Sequence, residues 1–126
     1  MALKATRIDH VNMTVKDLDA TLAFYQKLFG FTIRKDQHPS YESYIIGNDD
    51  IKLCLYEDKD LVVGEGLNHF GFHVDNFDEI VATCKQMGVE MPYGVVEWEE
   101  KKSRSVYIVD PSGYEIELSE IQGGAI

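Results

Sequence analysis

Two histidines occupy matching positions in the sequence, each near the start of an alternating apolar stretch. His10 lies in the stretch RIDHVNMTV, and His69 lies 59 residues later in GLNHFGFHV. A neutral imidazole nitrogen is a suitable ligand for iron, nickel, zinc and copper. A lone strand histidine is more often a hydrogen-bonded structural residue, so the pair indicates a site only if the fold brings the two together.

A carboxylate and a thiol extend this comparison. A shift of 63 residues in the later strands places Cys54 on Glu117. Glu117 lies between Ile116 and Leu118, where an inward carboxylate is costly unless it is paired or bound to a metal. Two imidazoles and one carboxylate predict either the facial triad of non-haem Fe(II) enzymes or a catalytic zinc-type site. Cys54 is a possible fourth ligand as a thiolate, or a small core residue as a thiol.

The elements that must position these residues occur twice in the same order. Each half reads as a strand, a helix and three further strands, which predicts a tandem repeat of a βαβββ unit. In the first half the strands are predicted at 8–15, 31–35, 41–46 and 51–57, and the helix runs from the N-cap Asp17 to Gly30. In the second half the strands are predicted at 69–74, 89–91, 104–109 and 114–120, with a loop at 92–102. The second helix runs from a capping box at Asn76 and Glu79 to Gly88.

The repeat predicts an α+β fold in one domain that spans residues 1–126. Module one covers about 6–57, a linker covers 58–67, and module two covers about 68–121. Two such units form a curved mixed sheet, a partial barrel around a cleft, with the helices outside. Equivalent residues then face each other across a pseudo-twofold axis, which brings His10 to His69.

Six other side chains are candidate substrate contacts. The shift of 63 lays Tyr44 on Tyr107, so the two rings can bracket a ligand, although strand aromatics are more often core residues. Lys52, Tyr56 and Glu115 share strand faces with Cys54 and Glu117 and can contact substrate from the rim. Arg104 can anchor a substrate carboxylate, or it is a solvated residue at a strand end.

Two other histidines are predicted to stay outside the metal site. His73 lies on the same strand face as His69, but four strand residues separate the two by about 13 Å. It is either a polar substrate contact or, preferably, a structural residue. His38 stands next to Pro39 and is interpreted as a loop residue.

Composition limits the function classes. The 126 residues carry a net charge of −10 with a pI near 4.7, which argues against nucleic acid and anionic membranes as partners. Two cysteines give no disulfide framework, and no apolar run approaches the length of a membrane span. The first twenty residues show no signal-peptide pattern, so a cytoplasmic protein is expected.

Two stretches resemble the ends of a vicinal oxygen chelate module, the superfamily of glyoxalase I, fosfomycin and bleomycin resistance proteins and extradiol dioxygenases. They are DHVNMTVKDLDATLAFYQKLFGF and VYIVDPSGYEIEL, with NHFGFHV between them. The resemblance implies tandem βαβββ units, a divalent metal held by His10, His69 and Glu117, and a homodimer. Glyoxalase-like members carry a glutamate where this chain has Cys54. That departure argues against glyoxalase I activity, because the missing carboxylate can serve as its base.

Three functions follow as hypotheses. The preferred one is an enzyme with one divalent ion per site (Fe, Ni, Zn, Mn or Co) that chelates vicinal oxygens of a small substrate, with Glu117 also catalytic. Its reaction is of the isomerase or lyase type, or of the dioxygenase type with Fe(II). The dioxygenase type matches the ligand set, but such enzymes are commonly longer. The alternatives are a metal-free protein that binds an antibiotic or metabolite, and a structural homodimer.

Overall fold

The computed structural model describes residues 3, 6–35, 40–64, 67–98 and 102–121. The predicted loop residue His38 and parts of the linker and of the 92–102 loop lie outside these ranges. The first half contains β1 (Val11–Val15), α1 (Leu18–Phe29), β2 (Thr32–Lys35), β3 (Ser43–Gly47) and β4 (Lys52–Glu57). The second half contains β5 (Phe70–His73), α2 (Phe77–Met87), β6 (Val95–Trp98), β7 (Ser103–Val109) and β8 (Glu115–Ser119). The predicted order of strand, helix and three strands is confirmed in both halves.

The chain forms two units, 1–61 and 62–126, each with its own mixed sheet. The strand orders are β1-β4-β3-β2 and β5-β8-β7-β6. In each unit the first strand pairs in parallel with the last strand, and the other neighbours are antiparallel. The α+β class and the repeated topology are therefore confirmed.

Each sheet has one apolar face and one polar face because side chains alternate along a strand. The apolar faces carry the most deeply buried strand residues, Val15, Ile46, Leu53 and Leu55 in the first unit and Val106, Ile108, Ile116 and Leu118 in the second. In the first unit, α1 packs against β4. The polar faces carry two ladders of three adjacent residues each. These are Asn12–Cys54–Ile45 and Gly71–Glu117–Tyr107.

The pairing registers test the repeat directly. Asn12 pairs with Cys54, and Gly71 pairs with Glu117, so the shifts of 59 and 63 describe the same pair of strands. Cys54 and Glu117 are therefore equivalent, as predicted. The register confirms this part of the overlay independently of residue identity.

The predicted equivalence of Tyr44 and Tyr107 is wrong by one residue. Ile45 pairs with Cys54, whereas Tyr107 pairs with Glu117, so Ile45 is the equivalent of Tyr107. The shift between β3 and β7 is consequently 62, not 63. A slip of one residue moves a side chain to the opposite face of a sheet.

The turn after these strands explains the slip. In the first unit the Asn48 Oδ1 accepts hydrogen bonds from the backbone N–H groups of Asp50 and Ile51, both at 2.9 Å. In the second unit the Asp110 Oδ1 accepts from Ser112, Gly113 and Tyr114 at 2.9–3.1 Å. The same side-chain cap thus closes both turns, but the second turn holds one residue more.

Most of the predicted helix ends are confirmed. Asp17 caps α1 by accepting from the Ala20 N–H at 3.0 Å, and Gly30 and Gly88 end the helices with φ of 68° and 70°. The capping box at Asn76 is wrong in detail. The Asn76 side chain makes no bond to the helix backbone, and its amide instead donates to Glu79 Oε2 at 3.0 Å.

The strand predicted at 89–91 is also wrong. The Val89 N–H bonds to the Cys84 carbonyl at 2.9 Å in the turn that follows α2, and the Glu90 carbonyl accepts from the Val109 N–H at 3.1 Å without forming a strand. The strand forms later, as β6, after Gly94 adopts a left-handed conformation with φ of 61°. Among the described residues, no helix combines the length and apolar character needed to cross a membrane.

The Asp110 cap gives a stability prediction. Asp110 is only 4% exposed, so Asp110→Ala removes the acceptor of the Ser112 and Tyr114 N–H groups and should cost about 1–3 kcal/mol. The Gly113 N–H keeps its second bond, to the Asp110 carbonyl at 3.0 Å. Asp110→Asn keeps the Oδ1 acceptor and should lose less. Urea unfolding measures both values, with Asp49→Ala in the equivalent turn as the exposed control. A loss for Asp49→Ala equal to that of Asp110→Ala would contradict this account.

Candidate metal centre

Both candidate histidines stand immediately before the first strand of their unit. Residues 69, 71 and 73 share the polar face of the second sheet, and the parallel register sets Gly71 beside Glu117. The His69 Nε2 consequently lies 3.1 Å from the Glu117 Oε1. The His69 and Glu117 side chains are 30% and 19% exposed, so the pair is partly shielded from water.

In both units, the side chain of the residue that precedes the histidine lies within hydrogen-bond distance of the histidine Nδ1. The Asp9 Oδ2 lies 2.8 Å from the His10 Nδ1, and the Asn68 Oδ1 lies 2.6 Å from the His69 Nδ1. Asp9 and Asn68 are equivalent under the shift of 59. Metal-binding histidines are commonly oriented through their second nitrogen in this way. In both units, Nε2 is therefore the nitrogen left for a ligand bond.

Sequence reasoning missed Asp9 and Asn68 as parts of the candidate site. The overlay contained the signal, because a hydrogen-bonding side chain precedes the histidine in both units. The hydrogen bond from His10, followed by the charges of Lys52 and His10, lowers the pKa of Asp9. Asp9 therefore stays an acceptor for the His10 ring.

The donor set around His69 fits a divalent metal. Asn68 presents an oxygen to Nδ1, so Nδ1 carries the hydrogen, and Nε2 then faces a carboxylate oxygen of Glu117. Two lone pairs face each other in this arrangement unless a proton or a metal cation lies between the two groups. An imidazole nitrogen and a carboxylate oxygen are both ordinary ligands of divalent transition metals.

Neither unit on its own gathers three histidine, cysteine or carboxylate side chains around one point within the residues that the structure describes. The second unit supplies two, His69 and Glu117. His10, the third predicted ligand, belongs to the first unit.

Tyr107 and Ser119 surround the Glu117 carboxylate. The Ser119 hydroxyl donates to the Glu117 Oε2 at 3.4 Å, and the Tyr107 ring meets the His69 ring edge-on with centroids 5.0 Å apart. Burial raises the pKa of Tyr107, and the charge of Glu117 and a hydrogen bond to it act in the same direction. The phenol therefore remains a neutral donor beside the carboxylate.

Cys54 occupies the place of Glu117 in the first unit. It is 7% exposed, and burial raises the pKa of its thiol. The charge of Lys52 opposes this rise in pKa, and the charge of Asp9 adds to it. The protein environment thus favours the neutral thiol over the thiolate that metal ligation requires. Lys52 and Tyr56 lie on the same face of β4 as Cys54, as predicted from the alternation.

Two predicted substrate contacts lie on the apolar face of their sheets, away from the candidate ligands. Tyr44 pairs with Leu55 and so lies opposite to the face of Cys54. Arg104 bonds to Glu120 at 2.8 and 3.1 Å and to Asp78 at 3.0 Å. Its guanidinium carbon also lies 4.7 Å from the centre of the Phe77 ring. The bonds to Glu120 and Asp78 raise the pKa of Arg104, so this cation is committed to two carboxylates.

His73 lies on the polar face, as predicted. Its Nε2 is 3.8 Å from the Asp75 Oδ1, and its side chain is 39% exposed. This weak contact gives His73 no place in the arrangement of His69 and Glu117.

Comparison with known proteins identifies the class. The family model of the glyoxalase/bleomycin resistance protein/dioxygenase superfamily matches residues 7–118. The chain belongs to this superfamily, as the sequence resemblance indicated.

Particular relatives are enzymes. The chain is 30% identical over 116 residues to a probable trivalent organoarsenical cleaving enzyme of Bacillus subtilis, covering 86% of this chain and 76% of that protein. It is 26% identical to the metallothiol transferase FosB of Lysinibacillus sphaericus, covering 88% and 79%.

Solved structures show the same fold. The fosfomycin resistance protein FosX of Listeria monocytogenes superposes with a TM-score of 0.79 and 25% identity, covering 91% of both chains. A second crystal structure of that protein, complexed with Mn(II) and sulfate, gives a TM-score of 0.73 and 24% identity, covering 92% of this chain and 93% of the other.

The contact between Tyr107 and Glu117 gives a titration prediction for the metal-free protein. A phenolate at Tyr107 adds a second negative charge beside Glu117, so Glu117→Gln should lower the pKa of Tyr107 toward its ordinary value. NMR titration of the tyrosine ring carbons measures the change. Glu97→Gln is the matched control. Glu97 stands opposite Arg104 in the register of β6 and β7, so it lies on the other face of the sheet from Glu117. The assignment fails if Tyr107 titrates alike in wild type and Glu117→Gln.

Proposed function

We propose that this protein is a mononuclear divalent-metal enzyme whose metal is held by His10, His69 and Glu117. The observation that carries the proposal is the pair formed by His69 and Glu117. The Nε2 and Oε1 atoms lie 3.1 Å apart, and Asn68 holds the other nitrogen of the ring. The matching bond between Asp9 and His10 supports His10 as the third ligand.

These ligands limit the metal to a group of divalent ions and do not select one of them. Two imidazoles and a carboxylate accept Fe, Ni, Zn, Mn or Co in the divalent state. The name of the Lysinibacillus relative and the Mn(II) in the Listeria structure support a divalent ion. When bound, such an ion acts as a Lewis acid that polarises vicinal oxygens of a small substrate.

The residues of this chain supply positioning and proton chemistry. Asn68 and Asp9 orient the two rings, and Ser119 holds one oxygen of Glu117. The neutral Tyr107 phenol is placed to donate a hydrogen bond to a substrate oxygen when Glu117 is engaged elsewhere. Glu117 is the carboxylate nearest the reacting group and is the proposed catalytic residue. Lys52 and Tyr56 are proposed substrate contacts from the first unit.

The reaction is of the lyase or isomerase type, and the Bacillus subtilis relative, a probable organoarsenical cleaving enzyme, supports the lyase type. Cys54 supports a second candidate, because a neutral thiol at the place of a second carboxylate leaves a set of two histidines and one carboxylate. That set with open positions is the arrangement of non-haem Fe(II) oxygenases. Oxygen consumption by the Fe(II)-loaded protein with a panel of catechols identifies this candidate. No consumption with any catechol leaves the Lewis-acid reaction.

The proposed assembly is a homodimer in the cytoplasm. Free thiols at Cys54 and Cys84 suit a reducing compartment. Mixing His10→Ala chains with His69→Ala chains shows which chain supplies His10. Metal binding returns in the mixture if one site takes His10 from one chain and His69 from the other. It stays absent if each site uses a single chain.

Metal binding tests the proposal. Loss of any one proposed ligand, in His10→Ala, His69→Ala or Glu117→Ala, should weaken binding of Zn(II) or Mn(II). The affinity should fall by at least roughly 10- to 100-fold, which is the usual loss when a residue that only orients a metal ligand is changed. Isothermal titration measures the affinity, and His73→Ala is the matched control on the same strand face. Wild-type protein that binds none of the candidate metals near one equivalent would be evidence for a metal-free binding protein.

The residue before His69 gives a separate prediction. Asn68→Ala removes the acceptor that orients the ring and should weaken metal binding about 10- to 100-fold. Asn68→Asp restores an acceptor like that of Asp9 and should recover most of the affinity. Asn76→Ala, an exposed change in the same unit, serves as control. Equal affinities for Asn68→Ala and wild type would show that the contact with Asn68 orients nothing.

A further inference from the structure

A small cavity lies at one end of the second sheet. Because β5 and β8 run in parallel, both strands begin at this end, and the residues that precede them meet there. The cavity has a volume of about 170 Å³. A water molecule occupies about 30 Å³ in the liquid, so roughly five waters or a ligand group of similar size would fit.

The lining of the cavity combines apolar side chains with polar ones and one carboxylate. Val63, Leu67, Phe70 and Tyr114 contribute apolar surface, and Asn68, His69 and Glu115 contribute the polar groups that matter here. Among the residues that the structure describes, no lysine or arginine lines the cavity. His69 thus lies both in the candidate metal centre and in the wall of this cavity.

Glu115 is the carboxylate of the cavity, and aromatic contacts fix its surroundings. The Tyr93 hydroxyl donates to the Glu115 Oε2 at 3.3 Å, and the Tyr93 ring packs edge-on against Tyr107 at 5.5 Å. Tyr107 in turn packs against His69. A chain of contacts therefore connects Glu115 to the candidate metal ligands.

The charge of Glu115 is not balanced by a basic group in the part of the chain that the structure describes. No ion pair there includes Glu115. Glu117 lies two residues along the same strand face, about 6.6 Å further. The arginine of these strands, Arg104, is held by Glu120 and Asp78 on the opposite face.

We infer that this cavity binds the protonated primary amine of a small ligand, with Glu115 as the residue that determines the specificity. An ammonium group placed there gains a carboxylate partner in a partly apolar setting, where the attraction between charges exceeds that in bulk water. An anionic group would instead meet the like charge of Glu115, with Glu117 about 6.6 Å further along the strand. The inference deepens the proposed function and rests on it in one respect, namely that the bound group belongs to the substrate.

Three compounds of matched size test the inference on the metal-free protein. They are n-butylamine, n-butanol and butyrate, which carry a positive charge, no charge and a negative charge at pH 7. Binding is followed by NMR through the backbone amides of Asn68, Phe70 and Glu115. Butylamine should bind about tenfold more tightly than butanol, and butyrate should cause no shift at these amides.

Two variants assign the preference to its residue. Glu115→Gln should bring butylamine to the affinity of butanol while it leaves butanol binding unchanged. Glu97→Gln removes the same charge from the opposite face of this sheet and should keep the wild-type order. Equal loss of butylamine binding in both variants would show that the preference for butylamine depends on the net charge of the protein and would overturn the inference. Butylamine binding no tighter than butanol in wild type would overturn it as well.

A separate metal titration distinguishes failure of this inference from failure of the proposed function. Protein that prefers butylamine but binds no metal retains the amine cavity and loses the metal enzyme. Protein that binds metal but shows no preference for butylamine retains the enzyme and loses the amine cavity.

Discussion

The parallel pairing of β5 with β8 is the constraint on which the candidate site depends. It sets Gly71 directly beside Glu117, and His69 lies two residues earlier on the same face. A β-carbon at Gly71 would lie 3.1 Å from the Glu117 carbonyl oxygen and 3.5 Å from its β-carbon. A side chain at position 71 would therefore require Glu117 to shift by a few tenths of an ångström. The close approach of His69 and Glu117 is a consequence of strand register, and the glycine leaves room for it.

The same pairing in the first unit supports different chemistry. Asn12 and Cys54 stand at the places of Gly71 and Glu117, so the equivalent position offers an amide and a buried thiol. The two units still share a histidine before the first strand and a side-chain acceptor for its Nδ1. Duplication has thus kept the ring orientation in both units and the carboxylate in one.

The sequence predicted the repeated topology and the equivalence of Cys54 and Glu117 because both depend on alternation and order. It mispaired Tyr44 with Tyr107 because identical residues happened to align. The physical equivalents are buried in the same way, Ser43 with Ser105 and Ile46 with Ile108. The extra residue lies inside the turn capped by Asp110, and alternation cannot reveal a turn length. The strand β6 was missed for a similar reason, since the turn that follows α2 includes Val89 and its length cannot be read from alternation.

In the proposed function, the charges of the second unit would orient the substrate. Arg104 is bound by two carboxylates on the apolar face, so the polar face keeps Glu115 and Glu117 without a lysine or arginine among the described strands. In the proposed complex a metal at Glu117 balances one carboxylate and repels an ammonium group. The amine would therefore be drawn to Glu115, and the oxygens of the same molecule would face the ion that His69 and Glu117 would hold. The two ends of a substrate would then bind at different points along one strand face according to their charge. The two carboxylates of that face, Glu115 and Glu117, are only two residues apart.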